Sequence, residues 1–190
     1  SSTGHERTAM TVYVCLKWIT PPEEDARFGG LSPADRSALE LALRIGEATG
    51  ESVTALTVGD ASSDAALREA LSCGASRAVR TEPLGVPSSL DVARALASMA
   101  TGASFVCCGD YSLDRGSGSV PAFLAAEFGA RQACGLIEVV PTPTGLDAIR
   151  RLDGGRRERI RVTAPAVVST EGATAPLRRA PLPAVLAARS

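Results

Sequence analysis

The sequence predicts an α/β fold in which a parallel sheet is covered by helices on both faces. Short apolar runs rich in β-branched residues alternate with longer segments of helical periodicity as far as Gly129. Such alternation is typical of β-α-β units, whose strands run parallel. Beyond Gly129 the pattern changes to short strands separated by tight turns, which predicts a C-terminal β-hairpin extension of the same domain.

Composition sets the broad class. The chain has 190 residues, 45% of them hydrophobic and 22% charged, with a net charge of −1, and we treat 1–190 as a single domain. Residues 1–9 are expected to form a disordered tail, and residues 172–190, which include three prolines, an irregular segment. The balanced charge gives no argument for nucleic-acid binding, and no run reaches the roughly 18 apolar residues of a membrane span. A polar N-terminus without a signal-peptide core predicts a cytoplasmic protein.

Cysteine and histidine usage gives little support to catalysis by this chain. Its five cysteines form no C-x-x-C pair and mostly stand in apolar runs, so they are predicted to be buried free thiols. His5 is the single histidine, which argues against a zinc site or a histidine-based triad. We find no convincing nucleophile–base pair and predict no catalytic residue.

Eight short runs of residues are predicted as strands. They span residues 10–16, 52–58, 77–80, 105–108, 133–140, 146–152, 156–162 and 166–169. Asp153-Gly154-Gly155 separates the sixth run from the seventh and predicts the turn of the hairpin. The first four runs alternate with helices, so their carboxyl ends are expected to meet at one edge of the sheet and to form the ligand site.

Four helices are predicted between and after these strands. They span residues 33–49, 64–73, 89–101 and 121–128. Ser32 and Pro33 supply an N-cap followed by proline at the first helical position, and Gly50 ends the same helix. Ser88 or Ser89 is expected to cap the third helix.

The loop at residues 110–119 is the strongest candidate site. It follows a buried strand, is rich in glycine and serine, and opens a helix, an arrangement that holds phosphate through backbone N–H groups and the helix dipole. Ser112, Ser117 and Ser119 are candidate hydroxyl donors, and Arg115 is a candidate phosphate partner. The alternative interpretation is an ordinary polar connection, because the spacing is neither a Walker motif nor G-x-G-x-x-G.

Two other features have competing interpretations. Lys17 follows the first strand directly at the same edge and could neutralise a phosphate, although a solvated lysine explains it equally well. The arginines between residues 150 and 161 form a basic face on the hairpin. A solvated face is the first explanation for them, a protein partner the second and nucleic acid the third.

Segments spread over residues 10–188 resemble, in order, motifs of the beta subunit of electron transfer flavoproteins. Residues 66–78, ALREALSCGASRA, are similar to that family's A-L-R-x-A-L-A-M-G-A-D-R-A helix and turn. The first strand with Cys15-Leu16-Lys17 resembles its V-x-V-K opening, and Ser32-Pro33-Ala34-Asp35 its N-P-x-[DE] segment. Four further segments also resemble family motifs. The loop at 110–120 resembles A-I-D-G-D-T-x-Q-V-x-P, and residues 153–155 resemble a G-G hairpin. Residues 164–169 resemble L-P-A-V-V-T, and residues 178–188 resemble R-Y-x-x-L-P-N-I-M-K-A-K.

This resemblance implies an adenine nucleotide alpha hydrolase-like fold and a non-catalytic electron-transfer role. A beta subunit of this family pairs with an alpha subunit that holds FAD, shapes the flavin site and helps to pass electrons from a dehydrogenase to an acceptor. Its own site holds AMP or, in electron-bifurcating members, a second FAD. The cofactor-binding positions implied here are Cys15, Lys17, Ser32, Pro33, Ala34, Asp35, Val58, Ser112, Leu113, Asp114, Arg115, Gly116, Ser117, Gly118, Ser119 and Val120.

The chain departs from the family pattern in two places. Asp114-Arg115-Gly116-Ser117-Gly118-Ser119 stands where the family has D-G-D-T-x-Q, so that the second acid and the glutamine are replaced. The family normally continues past the L-P-N-I-M-K-A-K segment with a partner-recognition loop and an arm around the alpha subunit, whereas this sequence stops at Ser190. We therefore expect either altered partner docking or a specialised short subtype, such as the mycofactocin-associated one. The alternative function is a stand-alone adenine-nucleotide-binding module of the universal-stress type.

Overall fold

The computed structural model describes residues 10–20, 29–111 and 118–189. Ten strands lie in this part of the chain: β1 (Thr11–Cys15), β2 (Trp18–Ile19), β3 (Gly30–Leu31), β4 (Ser52–Val58), β5 (Arg77–Thr81), β6 (Ala103–Gly109), β7 (Arg131–Thr142), β8 (Gly145–Arg151), β9 (Arg157–Val162) and β10 (Ala166–Thr170). The helices are α1 (Pro33–Thr49), α2 (Asp64–Cys73), α3 (Ser89–Met99), α4 (Val120–Phe128) and α5 (Leu182–Ala187).

Eight of these strands form one sheet in the order β5-β4-β1-β6-β10-β7-β8-β9. The pairs from β5 to β7 are parallel, whereas β7, β8 and β9 pair antiparallel. The predicted α/β class and the C-terminal hairpin are therefore confirmed. β10, which follows every other described strand in the sequence, lies between β6 and β7, so residues 166–170 complete the sheet. A separate two-residue pair, β2 with β3, was not predicted.

Hydrophobic cores cover both faces of the sheet. Alternate residues of the central strands point to opposite faces, as the two-residue period of a strand requires. On one face Val14 and Cys107 pack with α1 and α2, and on the other Tyr13 and Val106 pack with α3 and α4. The central strands are thus buried on both sides, which explains their nearly continuous apolar sequences.

The helix ends follow the predicted signals. The Ser32 hydroxyl accepts a hydrogen bond from the backbone N–H of Asp35 at 3.0 Å, and Pro33 takes the first helical position of α1. Gly50 ends the helix with a φ of 75°, a left-handed conformation that favours glycine. α3 begins with a capping box in which Ser88 and Asp91 satisfy each other's backbone N–H groups.

The C-terminal segment, expected to be irregular, contains α5 and is tied to the domain by polar contacts. The backbone N–H of Ala175 donates to the Ser37 hydroxyl at 2.9 Å, and Arg178 Nε donates to Glu40 Oε2 at 2.9 Å. Glu40 is 4% exposed. Although burial opposes it, the Arg178 guanidinium holds the pKa of Glu40 below its usual range. α5 packs against α2.

No helix in the described part of the chain is long and apolar enough to cross a membrane.

Replacing Arg178 by alanine is expected to destabilise the domain. Arg178→Ala leaves the buried Glu40 carboxylate without its main partner, and the loss of hydrogen bonds to a charged group should lower the free energy of unfolding by roughly 2–3 kcal/mol. Urea denaturation measures this change. The matched control is Arg179→Ala, whose exposed side chain should cost no more than about 0.5 kcal/mol. Equal stabilities of the two variants would contradict the assigned contact.

Candidate functional site

A cleft of about 450 Å³ opens at the carboxyl edge of the parallel strands. The ends of β1, β4 and β6 form its base, where the sequence predicted the ligand-binding edge. Its described lining residues are Cys15, Leu16, Lys17, Trp18, Thr20, Asp35, Val58, Gly59, Asp60, Ser62, Ser63, Pro83, Pro87, Ser89, Val92, Leu96, Cys108, Gly109, Tyr111, Gly118, Ser119, Val120 and Pro121. The volume lies within the range of small-molecule sites.

The base of the cleft is apolar and contains two thiols. Val58, Val92 and Leu96 supply aliphatic surface from β4 and α3. Cys15 and Cys108 are register partners on β1 and β6, and both are buried. A hydrogen bond to Cys15, together with burial, raises the pKa of the Cys108 thiol well above its usual range. A thiol of that kind stays protonated, so Cys108 contributes packing surface to the base of the cleft.

Asp35 is the one buried carboxyl group in the described lining of the cleft. It lies in the first turn of α1 and is 6% exposed. Its carboxylate accepts hydrogen bonds from the Ser32 hydroxyl and from the backbone N–H groups of Lys17 and Gly109. Burial nevertheless dominates and raises the pKa of Asp35 to about 7, against the lowering effect of these donors and of the Lys17 charge. Asp35 therefore changes its charge near neutral pH.

The position of the Asp35 carboxyl group explains why residue 109 is a glycine. A Cβ atom on Gly109 would lie 2.7 Å from Asp35 Oδ1 and 3.0 Å from the Asp35 backbone nitrogen. Any side chain at the end of β6 would therefore push α1 away from the sheet. The close approach of α1 to β6 depends on glycine at this position.

Helix N-termini from both faces of the sheet surround the opening of the cleft. Ser89 belongs to the first turn of α3 and Ser119 precedes α4. Ser62 and Ser63 lie in the one-turn 3₁₀ helix that leads into α2, and Asp60 caps that turn through the N–H of Ser62 at 2.9 Å. The Ser62 hydroxyl also donates to Asp60, at 2.5 Å from Oδ1. Hydroxyl groups beside helix N-termini, such as those of Ser89 and Ser119, are donors suited to an anion.

The predicted site residues fall into three groups. Cys15, Lys17, Asp35, Val58, Gly118, Ser119 and Val120 line the cleft, and Ser32 contacts Asp35. Pro33 and Ala34 are not among the described residues that line it; instead, they lie against Gly172, and the Ala34 carbonyl accepts a hydrogen bond from Thr170 Oγ1 at 3.4 Å. The remaining predicted positions, Ser112, Leu113, Asp114, Arg115, Gly116 and Ser117, lie outside the described residues.

Sequence reasoning missed several of the lining residues. Trp18 ends beside the cleft because β2 pairs with β3, a two-residue contact too short to give a periodic signal. Ser62 and Ser63 also line the cleft, although the sequence analysis did not identify them as site residues. The signal that could have found them is their position directly after Gly59, at the end of the second predicted strand, because the ends of parallel strands share one edge.

The cysteines, the possible metal ligands and the arginine-rich hairpin form no second candidate site in the described part of the chain. All five cysteines are free, four of them buried, as predicted. Within residues 10–20, 29–111 and 118–189, no group of three or more possible metal ligands comes together. The arginine-rich hairpin forms surface ion pairs, among them Arg150 with Glu158 and Arg161 with Asp147. Paired, exposed charges of this kind agree with the predicted solvated face.

A protein-family model described as "Electron transfer flavoprotein domain" matches residues 23–190 of the chain. The match includes α1, the loop at residues 110–119 and every strand from β3 to β10. No curated protein gives a significant match.

Asp35 makes stability depend on pH. Its pKa is 3.8 when unperturbed and about 7 in the folded protein, so between these values the folded state binds the extra proton. Stability is therefore expected to fall as pH rises from about 4 to about 7, by on the order of 4 kcal/mol from this group alone. Asp35→Asn should remove this component from urea denaturation curves recorded across the window. Asp147→Asn, at an exposed position on β8, should retain the wild-type profile. Parallel profiles for Asp35→Asn and wild type would contradict the assignment.

Proposed function

We propose that this chain, which belongs to the electron transfer flavoprotein family, is the beta-type subunit of a heterodimer whose alpha-type subunit holds FAD. It carries electrons in complex with that partner, from a dehydrogenase to an acceptor, in the cytoplasm. The proposal extends to the short, mycofactocin-associated subtype. Family membership supports the electron-transfer role, and the cleft at the carboxyl edge of the sheet supports a nucleotide site on this chain.

The cleft carries the nucleotide part of the proposal because its two halves suit the two ends of an adenine nucleotide. The apolar base at Val58, Val92 and Leu96 offers surface for a purine ring. Ser89 and Ser119, at the N-termini of α3 and α4, and Lys17 offer donors for a phosphate. A volume of about 450 Å³ favours a mononucleotide such as AMP over the larger FAD.

The residues of this chain bind and orient rather than react. FAD, when bound to the partner, supplies the reversible electron chemistry. The Cys108 thiol stays protonated, and the described cleft lining contains no histidine. In this proposal AMP is a structural ligand that completes the cleft, and the chain supplies part of the surface around the flavin.

Co-expression with the FAD-holding alpha-type subunit tests the assembly. The expected result is a yellow heterodimer that releases AMP on denaturation and contains one FAD, measured by absorbance and by mass analysis of extracted nucleotides. Two FAD molecules per heterodimer would contradict the AMP assignment. ATP bound to a homodimer of this chain alone would contradict the whole proposal and favour the universal-stress alternative.

Lys17→Gln tests the phosphate end of the cleft. Loss of the ammonium group removes a charge-assisted contact, so the dissociation constant for AMP should rise at least about tenfold, measured by isothermal titration calorimetry. The weakening should be smaller at high salt, which screens the same charge. Arg68→Gln is the matched control, because Arg68 is exposed on α2 and does not line the cleft. Equal affinities for the two variants would exclude Lys17 as a phosphate ligand.

A further inference from the structure

A β-bulge lies opposite Ser169 in the middle of the sheet. In the pairing of β10 with β7, Val168 faces Ala133 and Thr170 faces Leu136, so two residues of β7 oppose Ser169. Gly135, the second of these two, has a φ of 68°. The bulge disrupts the ladder locally, and the backbone N–H of Gly135 donates instead to the Ser169 hydroxyl at 3.0 Å.

The Ser169 hydroxyl uses its own proton to hold Asp110. It donates to Asp110 Oδ1 at 3.0 Å, and Ser169 is fully buried. A second contact fixes the same residue, because the backbone N–H of Asp110 donates to the Thr170 carbonyl at 3.0 Å. Asp110 is therefore fastened to β10 by its side chain and by its backbone, directly after the end of β6.

Asp110 in turn lies next to two residues that line the cleft, Tyr111 and Gly118. Tyr111 follows it and lines the cleft. Gly118 also lines the cleft and passes so close that a Cβ atom on it would lie 2.7 Å from the Asp110 carbonyl oxygen. Gly118 leads directly into Ser119 and the N-terminus of α4. Asp110 and Ser169 are both missing from the described lining of the cleft, so their contribution passes through these neighbours.

We infer that Ser169 is a positioning residue for the nucleotide cleft, acting through Asp110 to hold Tyr111, Gly118 and the N-terminus of α4 where a bound phosphate needs them. This inference rests on the proposed nucleotide site. It gives a role to the bulge at Gly135, which leaves one backbone N–H without a ladder partner and so sets the orientation of the hydroxyl. Neither Ser169 nor Asp110 touches the ligand in this arrangement.

Two pairs of variants test the inference in the full chain, titrated with AMP by calorimetry. Ser169→Ala removes the hydrogen bond to Asp110 and should raise the dissociation constant roughly three- to tenfold. Ser104→Ala is its control: Ser104 is 1% exposed, lies near the opposite end of β6 and bonds to the Thr11 carbonyl, so its loss should affect stability but not affinity. Asp110→Ala should weaken binding like Ser169→Ala. Asp110→Asn keeps an oxygen for the Ser169 hydroxyl and should bind AMP within about twofold of wild type.

Amide hydrogen exchange without ligand provides the second measurement. Ser169→Ala and Asp110→Ala should both accelerate exchange at residues 110, 111, 118 and 119, whereas Ser104→Ala should not. If Ser169→Ala does not fold, the Asp110 pair tests the same link at a partly exposed side chain. If Ser169→Ala and Asp110→Ala both bind AMP as tightly as the wild type, the positioning role of Ser169 is overturned, and the proposed nucleotide site is unaffected. A wild-type chain that binds no AMP would overturn the proposed nucleotide site, and the positioning role with it.

Discussion

A single buried carboxyl group holds together the elements that form the cleft. Asp35 connects the first turn of α1 to the backbone at the ends of β1 and β6, two neighbouring strands at the centre of the sheet. Burial makes its charge costly, and three hydrogen-bond donors recover part of that cost. Because these donors belong to three different elements, none of the elements can move without leaving a buried polar group unsatisfied. The base of the cleft is thereby fixed by the fold itself.

The side of the cleft formed by Tyr111, Gly118 and Ser119 is held by a different set of contacts, which come from β10. β10 lies beside β6 and supplies both the Ser169 hydroxyl and the Thr170 carbonyl that hold Asp110. The cleft is thus fixed from two sides, by α1 through Asp35 and by β10 through Ser169. Both attachments are side-chain contacts at strand ends, where backbone groups leave the ladder and need other partners. A ligand at this edge meets an arrangement that is already formed, which reduces the ordering cost of binding.

Much of this fold follows from local signals in the sequence. Ser32, Pro33 and Gly50 set the ends of α1 because capping and left-handed backbone conformations favour these residue types. The central strands β1, β4, β6 and β10 were predicted because they are buried on both faces and hence nearly continuously apolar. The two-residue strands β2 and β3 carry no periodic signal, and α5 was missed because its prolines were interpreted only as helix breakers, although Pro183 stands in its first turn, where proline is tolerated.

The candidate site could be predicted less completely. Its location at the strand ends follows from parallel topology, and Lys17, Val58 and Ser119 line the cleft where the sequence led us to expect them. Asp35 was predicted as a ligand-binding residue, yet nothing local in the sequence shows that its carboxylate is occupied by backbone N–H groups from two other strands. The contact between Ser169 and Asp110 joins residues 59 positions apart and depends on a bulge in a third strand. Contacts of this kind arise from tertiary packing and leave no mark on local composition.

The insertion of the last strand between earlier ones has a consequence for biosynthesis. Until β10 has left the ribosome, β6 and β7 cannot be joined, and the apolar faces of Val106 and Cys107 lack a neighbour on that side. The ion pair between Glu40 and Arg178 forms later still, because Arg178 is 138 residues further along the chain. The nascent polypeptide therefore emerges with an open sheet edge, the kind of surface that invites aggregation. Folding of this domain is therefore complete only after Arg178 has been synthesised, and chaperones that shield exposed strands would act on nearly its whole length.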